Sequence, residues 1–136
     1  MVMDFDECLQ QGTAKAVRID EPKISAVRQV AHKKFTSSQL LKGNTHVLAR
    51  ISLLYEVLRE LLEARALEEG FKIYNHECYV PFLKEILNMS TEAHLFNQLR
   101  KTRNKINYYG FDVNENEGKE ITKKLSELIA FFDKQD

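Results

Sequence analysis

The stretch VLARISLLYEVLRELLEARALEEG, residues 47–70, decides the fold of this chain. At 100° per residue, its large apolar side chains fall on one arc of about 140°, as in a helix with one buried face. These side chains are Val47, Ile51, Leu54, Tyr55, Leu58, Leu61 and Leu62. The charged residues Glu56, Arg59, Glu60 and Glu63 are expected on the solvated side. Gly70 is the predicted end of this helix.

Capping residues and glycines divide the rest of the chain into further helical segments. The predicted starts are Asp20-Glu-Pro22, Asn44 or Thr45, Asn75, and Ser90 or Thr91, and the predicted ends or turns are Gly43, Gly110 and residues 114–118. Apolar periodicity over residues 121–132 predicts a last helix. No segment alternates as a strand requires. We therefore predict one all-α domain over residues 1–136, an antiparallel up-and-down bundle of four or five helices, with residues 1–19 as a short extension.

Composition limits the partners and the location of the chain. Lys+Arg and Asp+Glu balance at 20 each, so no overall charge attracts nucleic acid or membrane. No apolar run approaches the ~18 residues of a membrane span, and no leader pattern is visible, so we expect a cytoplasmic protein. Cys8 and Cys78 are expected to be free thiols, with a disulfide or a metal role as alternatives. No ligand spacing favours a metal or cofactor.

The run RKTRNKINYYG, residues 100–110, is the candidate for a ligand site. Helical projection predicts a core face formed by Leu95, Leu99, Thr102 and Ile106, with an adjoining strip of Phe96, Arg100, Arg103 and Asn107. Arg103 is thus expected at the border of buried and exposed surface, where packing orients a guanidinium that still reaches a phosphate. The alternative is that Arg100 and Arg103 pair with acids of a neighbouring helix, such as Glu56 or Glu63.

Arg103-Asn104, followed by Tyr108, resembles the motif of the HEPN (higher eukaryotes and prokaryotes nucleotide-binding) family. In that motif Arg, usually then Asn, is followed four to six residues later by His. The segment EARALEEGFKIYNHE, residues 63–77, adds to the resemblance, which covers the chain from about Pro22 onward. It implies a homodimer whose two motifs face one cleft for RNA or a nucleotide, and catalytic members cleave RNA without a metal. Many small members partner a nucleotidyltransferase in toxin–antitoxin or defence systems.

Carried onto this chain, the motif makes Arg103 and Tyr108 the catalytic positions. The implied RNA- or nucleotide-binding residues are Arg100, Arg103, Asn104, Asn107, Tyr108 and Tyr109. Tyr108 stands where the family has His, and a phenol, with a pKa of about 10 in water, is a poor base at neutral pH. RNase activity is therefore expected to be weak or lost, with Tyr108 or Tyr109 as a platform for stacking bases or as packing at the end of the bundle. His76 on another helix is a candidate replacement base, whereas a non-catalytic helical dimerisation or interaction module is the alternative function.

Overall fold

The computed structural model describes residues 3–110 and 112–133, apart from the side chain of Tyr109. Within these residues the chain forms six helices and a two-stranded ribbon. The elements are α1 (Phe5–Gln11), β1 (Ala14–Ala16), α2 (Glu21–Ser38), α3 (Val47–Glu68), β2 (Phe71–Ile73), α4 (Tyr79–Pro81), α5 (Ser90–Tyr109) and α6 (Glu115–Asp133). Short 3₁₀ turns precede α3 (Asn44–His46) and α4 (His76–Cys78), and a π-helical turn (Phe82–Ile86) follows α4. The prediction of an all-α helical bundle is confirmed.

Helix α3 is the centre of the bundle and packs against α2, α5 and α6. All seven residues of its predicted apolar arc are buried, which confirms the helical register. One expectation for its polar side was wrong, because Glu60 is only 5 % exposed. Lys34 of α2 reaches over α3 and bonds to the Glu60 carboxylate. A carboxylate can be buried when a cation bonds to it in this way.

At two of the predicted helix starts, the predicted residue does form the side-chain cap. The Asp20 side chain accepts a hydrogen bond from the Lys23 amide (3.2 Å) at the start of α2. The Asn75 side chain accepts one from the Glu77 amide (2.9 Å) and opens the turn before α4. Pro81 lacks an amide proton, and the regular helix does end there, giving way to the π-helical turn.

Other predicted boundaries were wrong. Helix α2 ends at Ser38, before Gly43. A 3₁₀ turn precedes α3, and neither Asn44 nor Thr45 caps that helix with its side chain. Helix α5 does start at Ser90, without a side-chain cap. Gly118, predicted in a turn, lies inside α6, where a Cβ atom would stand 2.5 Å from Val47 Cγ2. A glycine at this point allows α6 to approach α3 closely.

The buried face of α5 differs from the predicted one. Phe96, which was placed beside the core face, is fully buried and packs against Tyr55 (ring centroids 6.0 Å apart) and Tyr79 (6.1 Å). Leu99 is buried as predicted, whereas Leu95, Thr102 and Ile106 are only partly buried. The face is shifted because α5 lies against both α3 and α4 rather than against one neighbour.

The N-terminal segment is tied to the middle of the chain. Cys8 and Cys78 form a disulfide, so the expectation of free thiols was wrong. Strand β1 pairs antiparallel with β2, Ala14 opposite Ile73, and the Tyr74 amide donates to the Thr13 carbonyl (2.8 Å). The strands have three residues each, too few for an alternating pattern to be recognised in the sequence. Among the described helices, none is both long and apolar enough to cross a membrane.

Candidate functional site

Helix α5 and the segment between β2 and α4 line a shallow cavity of about 440 Å³. Its lining residues are Tyr74, Asn75, His76, Glu77, Arg100, Arg103, Asn104 and Tyr108. The four on α5 recur at spacings of three and four residues, so they share one face of the helix. We call this cavity the Arg103 cavity. It brings together four of the six side chains that the sequence placed in the site.

The other two predicted residues do not line the Arg103 cavity. Asn107 is exposed, and its side-chain oxygen lies 3.5 Å from the Ser52 hydroxyl of α3. The side chain of Tyr109 lies outside the described part of the chain. The site therefore rests on Arg100, Arg103, Asn104 and Tyr108.

Arg103 is held by aromatic rings rather than by an acid. Its guanidinium carbon lies 5.2 Å from the ring centre of Tyr55 and 5.7 Å from that of Tyr108, distances at which a cation is attracted to the ring face. Nη1 donates to the Tyr108 hydroxyl at 3.4 Å. Nε is buried without a hydrogen-bond partner. The side chain is therefore held in one orientation, while among the described residues its charge has no acidic partner and its Nε has no acceptor.

The acids that were the alternative partners of Arg103 are already paired with other cations. Arg59 bonds to Glu56 (2.9 Å) and to Glu63 (3.1 Å), and Lys72 bonds to Glu63 (2.9 Å). Burial by itself would raise the pKa of each acid, but these bonds and charges outweigh it and lower both pKa values. Within residues 3–110 and 112–133, no carboxylate oxygen lies within 4.0 Å of a guanidinium nitrogen of Arg103.

Arg100 is positioned by a neutral partner. Its Nε (3.2 Å) and one terminal nitrogen (2.9 Å) both donate to the side-chain oxygen of Asn97, one turn earlier on α5. A guanidinium has five N–H donors, so others remain for a ligand. Glu77 is the acid among the residues that line the cavity, against the two arginines. The lining therefore carries a net positive charge suited to an anion.

His76 lies in the same cavity, contributed by the turn before α4. Its Nδ1 is 3.4 Å from the Tyr55 hydroxyl oxygen. Burial, with the positive charges of Arg59, Arg103 and Arg100, lowers the pKa of His76 from 6.5 to about 4. Burial also raises the pKa of Tyr55 to about 12. At neutral pH both groups are uncharged, so the cavity holds a neutral imidazole beside two guanidinium groups.

Tyr74, like Asn75 and Glu77, is a lining residue that sequence reasoning did not place in the site. It is 56 % exposed, and Tyr108 is 69 % exposed, so each presents a ring surface that packing leaves open. The signal was an aromatic residue placed between a strand and a polar turn, in Phe71-Lys-Ile-Tyr-Asn-His-Glu77. An isolated tyrosine in such a segment is common, and only the fold brings it opposite α5.

Elsewhere the histidines have ordinary surroundings. His32 bonds to Asp133 (2.6 Å), His46 is exposed, and His94 is exposed beside a different cavity on α5. Among the described residues, no group of three or more His, Cys, Asp or Glu side chains is arranged to hold a metal ion.

Comparisons of the chain with protein-family models, with curated proteins and with solved structures find no match. The resemblance to HEPN proteins therefore rests on the sequence alone.

The lowered pKa of His76 makes stability depend on pH. The unfolded chain binds a proton at His76 near pH 6.5 and the folded chain only near pH 4, so the stabilisation is complete above pH 6.5 and is lost as the pH falls through about 4. The free energy of unfolding of the wild-type protein should fall between pH 7 and pH 5. In His76→Gln this fall should be smaller by about 1–2 kcal/mol, after allowance for solvent screening. Urea denaturation of both proteins at the two pH values measures this. Equal pH dependence would contradict the assigned surroundings of His76.

Proposed function

We propose that this chain is a HEPN-like RNA- or nucleotide-binding protein whose ligand occupies the Arg103 cavity. The observation that carries the proposal is the state of Arg103, which is oriented by two tyrosine rings and has no acid bonded to it in the described structure. A guanidinium with an internal structural role would be expected to bond to Glu56 or Glu63, and both of these acids are paired elsewhere.

The phosphate of the ligand lies between the two arginines in this proposal. Arg103 has a buried Nε without a partner, and Arg100 uses two of its donors on Asn97. Bonds from a guanidinium to phosphate are charge-assisted and roughly twice as strong as neutral ones.

The bases of the ligand lie on the exposed tyrosines. Tyr74 and Tyr108 both line the cavity, one from the segment after β2 and one from α5. Stacking of a base on an aromatic ring contributes ~1–3 kcal/mol and requires bases that are free of a duplex. The side-chain amides of Asn75 and Asn104 can donate to and accept from base edges. Single-stranded RNA fits this combination of arginines, tyrosine rings and amides better than inorganic phosphate or duplex RNA.

Arg103 and Tyr108 occupy the catalytic positions of the family motif in this proposal. Arg103 would stabilise the negative charge that develops on the phosphoryl oxygens, and its Nη1 lies 3.4 Å from the Tyr108 hydroxyl. Because Tyr108 replaces the motif histidine, α5 by itself supplies no good base. On the motif alone, the protein is a degenerate metal-independent RNase.

The binding test uses a fluorescently labelled single-stranded oligoribonucleotide and measures its anisotropy. Wild-type protein should bind it, with duplex RNA and inorganic phosphate competing poorly. Tyr108→Ala should weaken binding about fivefold or more, because a stacking ring is worth ~1–3 kcal/mol, whereas Tyr108→Phe keeps the ring and should bind nearly as well. Leu40→Ala, at a residue 81 % exposed and absent from the cavity, is the control. Folded wild-type protein that binds no RNA would contradict the proposal and favour a helical interaction module.

A homodimer and a nucleotidyltransferase partner also belong to this proposal. Both follow from the resemblance, because HEPN proteins pair two motifs across one cleft and many small members partner a nucleotidyltransferase. Leu53 is partly buried and lies outside the main arc of α3, whereas Phe96 is fully buried and has no surface to offer to an interface. We expect light scattering to give the mass of a dimer at micromolar concentration, and monomer alone would contradict it. A toxin–antitoxin or defence role follows from the same resemblance.

The proposed location is the cytoplasm. A cytoplasmic disulfide must resist reducing conditions, which is unusual. Cys8 and Cys78 are both 0 % exposed, and burial hinders access by a reductant because exchange requires attack on the sulfur.

A further inference from the structure

The Arg103 cavity contains an imidazole that does not come from α5. His76 belongs to the 3₁₀ turn before α4, yet it lines the cavity together with Arg100, Arg103 and Tyr108. The family motif places its histidine on the same helix as its arginine, and in this chain that place is taken by Tyr108. A histidine therefore stands beside the motif although the motif lacks one.

We propose that His76 is the general base for metal-independent cleavage of single-stranded RNA in the Arg103 cavity. This inference rests on the proposed function, since RNA must first bind there.

The turn that carries His76 is held at several points, as a base that must stay aligned with its substrate requires. The Asn75 side chain caps it, accepting from the Glu77 amide at 2.9 Å. Cys78 at its end is joined to Cys8 by the disulfide. Just before it, the Tyr74 amide donates to the Thr13 carbonyl at 2.8 Å.

The contact with Tyr55 gives the imidazole a suitable tautomer. When Nδ1 carries the proton and donates it to the Tyr55 oxygen, 3.4 Å away, the lone pair of Nε2 is free to accept a proton. Nε2 has no hydrogen-bond partner within the described part of the chain. Tyr55 is thus a positioning residue, while His76 is the residue that contacts the substrate.

The reaction proceeds in one step. Nε2 of His76 takes the proton of the ribose 2′-hydroxyl, and the 2′-oxygen forms a bond to phosphorus. The bond between phosphorus and the 5′-oxygen breaks, and the leaving oxygen keeps the electron pair and takes a proton from water. The hydroxide formed from that water takes the proton held by His76, which restores the neutral imidazole. Arg103 and Arg100 stabilise the additional negative charge on the phosphoryl oxygens. The products are a 2′,3′-cyclic phosphate and a 5′-hydroxyl end.

Substrate binding improves His76 as a base. The groups that face it are Tyr55, Glu56 and Arg59 of α3, Arg100 and Arg103 of α5, Tyr79 of α4, and Glu77 next to it in the turn. The three arginines disfavour an imidazolium. A bound phosphate neutralises part of that charge and so favours the protonated product of the base step.

The experiment separates cleavage from binding. Labelled single-stranded RNA is incubated with excess protein in EDTA to measure the single-turnover rate, and a 2′-O-methyl oligonucleotide of the same sequence, which lacks the attacking hydroxyl, measures affinity. Wild-type protein should cleave the RNA to 2′,3′-cyclic phosphate ends. His76→Gln should lower the rate by about 100-fold or more without changing the affinity for the 2′-O-methyl probe. His94→Gln, prepared in parallel, should cleave like wild type and controls for contaminating nucleases.

Each result decides between the two proposals. RNA binding without cleavage by wild-type protein overturns the role of His76 and leaves the proposed function intact, as does undiminished cleavage by His76→Gln. Absence of binding to either oligonucleotide removes both proposals. Affinity for the 2′-O-methyl probe also reports whether His76→Gln is folded, and His76→Asn takes its place if it is not.

Discussion

Leu58→Ala is expected to lower the free energy of unfolding by about 2–5 kcal/mol, the range for truncating a buried leucine. Leu58 is 0 % exposed and lies midway along the apolar arc of α3, the helix that contacts α2, α5 and α6. Removing its branched end leaves a cavity among side chains of the main core cluster. These side chains are held by several helices at once, so the space cannot close without moving a helix.

Urea denaturation followed by circular dichroism measures this change. Leu40→Ala is the matched control, since Leu40 is 81 % exposed and its truncation should alter stability by no more than about 0.5 kcal/mol. An equal and small effect at both positions would show that α3 does not present the face described above.

Arg103→Ala is expected to weaken binding of single-stranded RNA by about tenfold or more. Each charge-assisted bond to phosphate contributes roughly 1.5–3 kcal/mol, and Arg103 has no acid in the described structure that would compete for it. The fold should be largely retained, because the guanidinium makes only ring contacts and one long hydrogen bond. Removing it also removes a buried nitrogen that has no partner.

Two control variants separate the role of the guanidinium from that of the charge. Lys101→Ala removes an exposed cation on the same helix, outside the cavity lining, and should weaken binding far less. Arg103→Lys keeps the charge but loses the planar fork, so it should bind between Arg103→Ala and wild type. A structural role for Arg103 would appear as a large loss of stability in Arg103→Ala with unchanged affinity per folded molecule.

Local patterns were sufficient for the parts of this molecule that depend on neighbours in the chain. The arc of α3 and the caps at Asp20 and Asn75 each follow from spacing or from one residue type. The position of Arg103 at the border of α5 also followed from helical projection, because the rotation of a helical residue is given by its number in the helix. These features were correct since the atoms that determine them lie within a few residues of each other.

Contacts between residues that are far apart in the sequence could not be predicted from local sequence patterns. Phe96 is buried because Tyr55 and Tyr79 converge on it from two other helices. Gly118 lies inside α6 where that helix passes too close to Val47 for a Cβ atom. The disulfide joins cysteines 70 residues apart, and spacing does not reveal connectivity over such a distance.

The sequence by itself determined an all-α chain with a central amphipathic helix and a conspicuous arginine motif on α5. Only the tertiary structure decided what surrounds that motif. Arg59 engages Glu56 and Glu63 from within α3, at spacings of three and four residues, but packing of α5 on α3 is what brings the Tyr55 ring against Arg103. The tertiary structure also places His76 in the cavity. The physical reason is that the charge and protonation of a site depend on burial and on groups within a few ångströms, and packing of distant segments decides which groups those are.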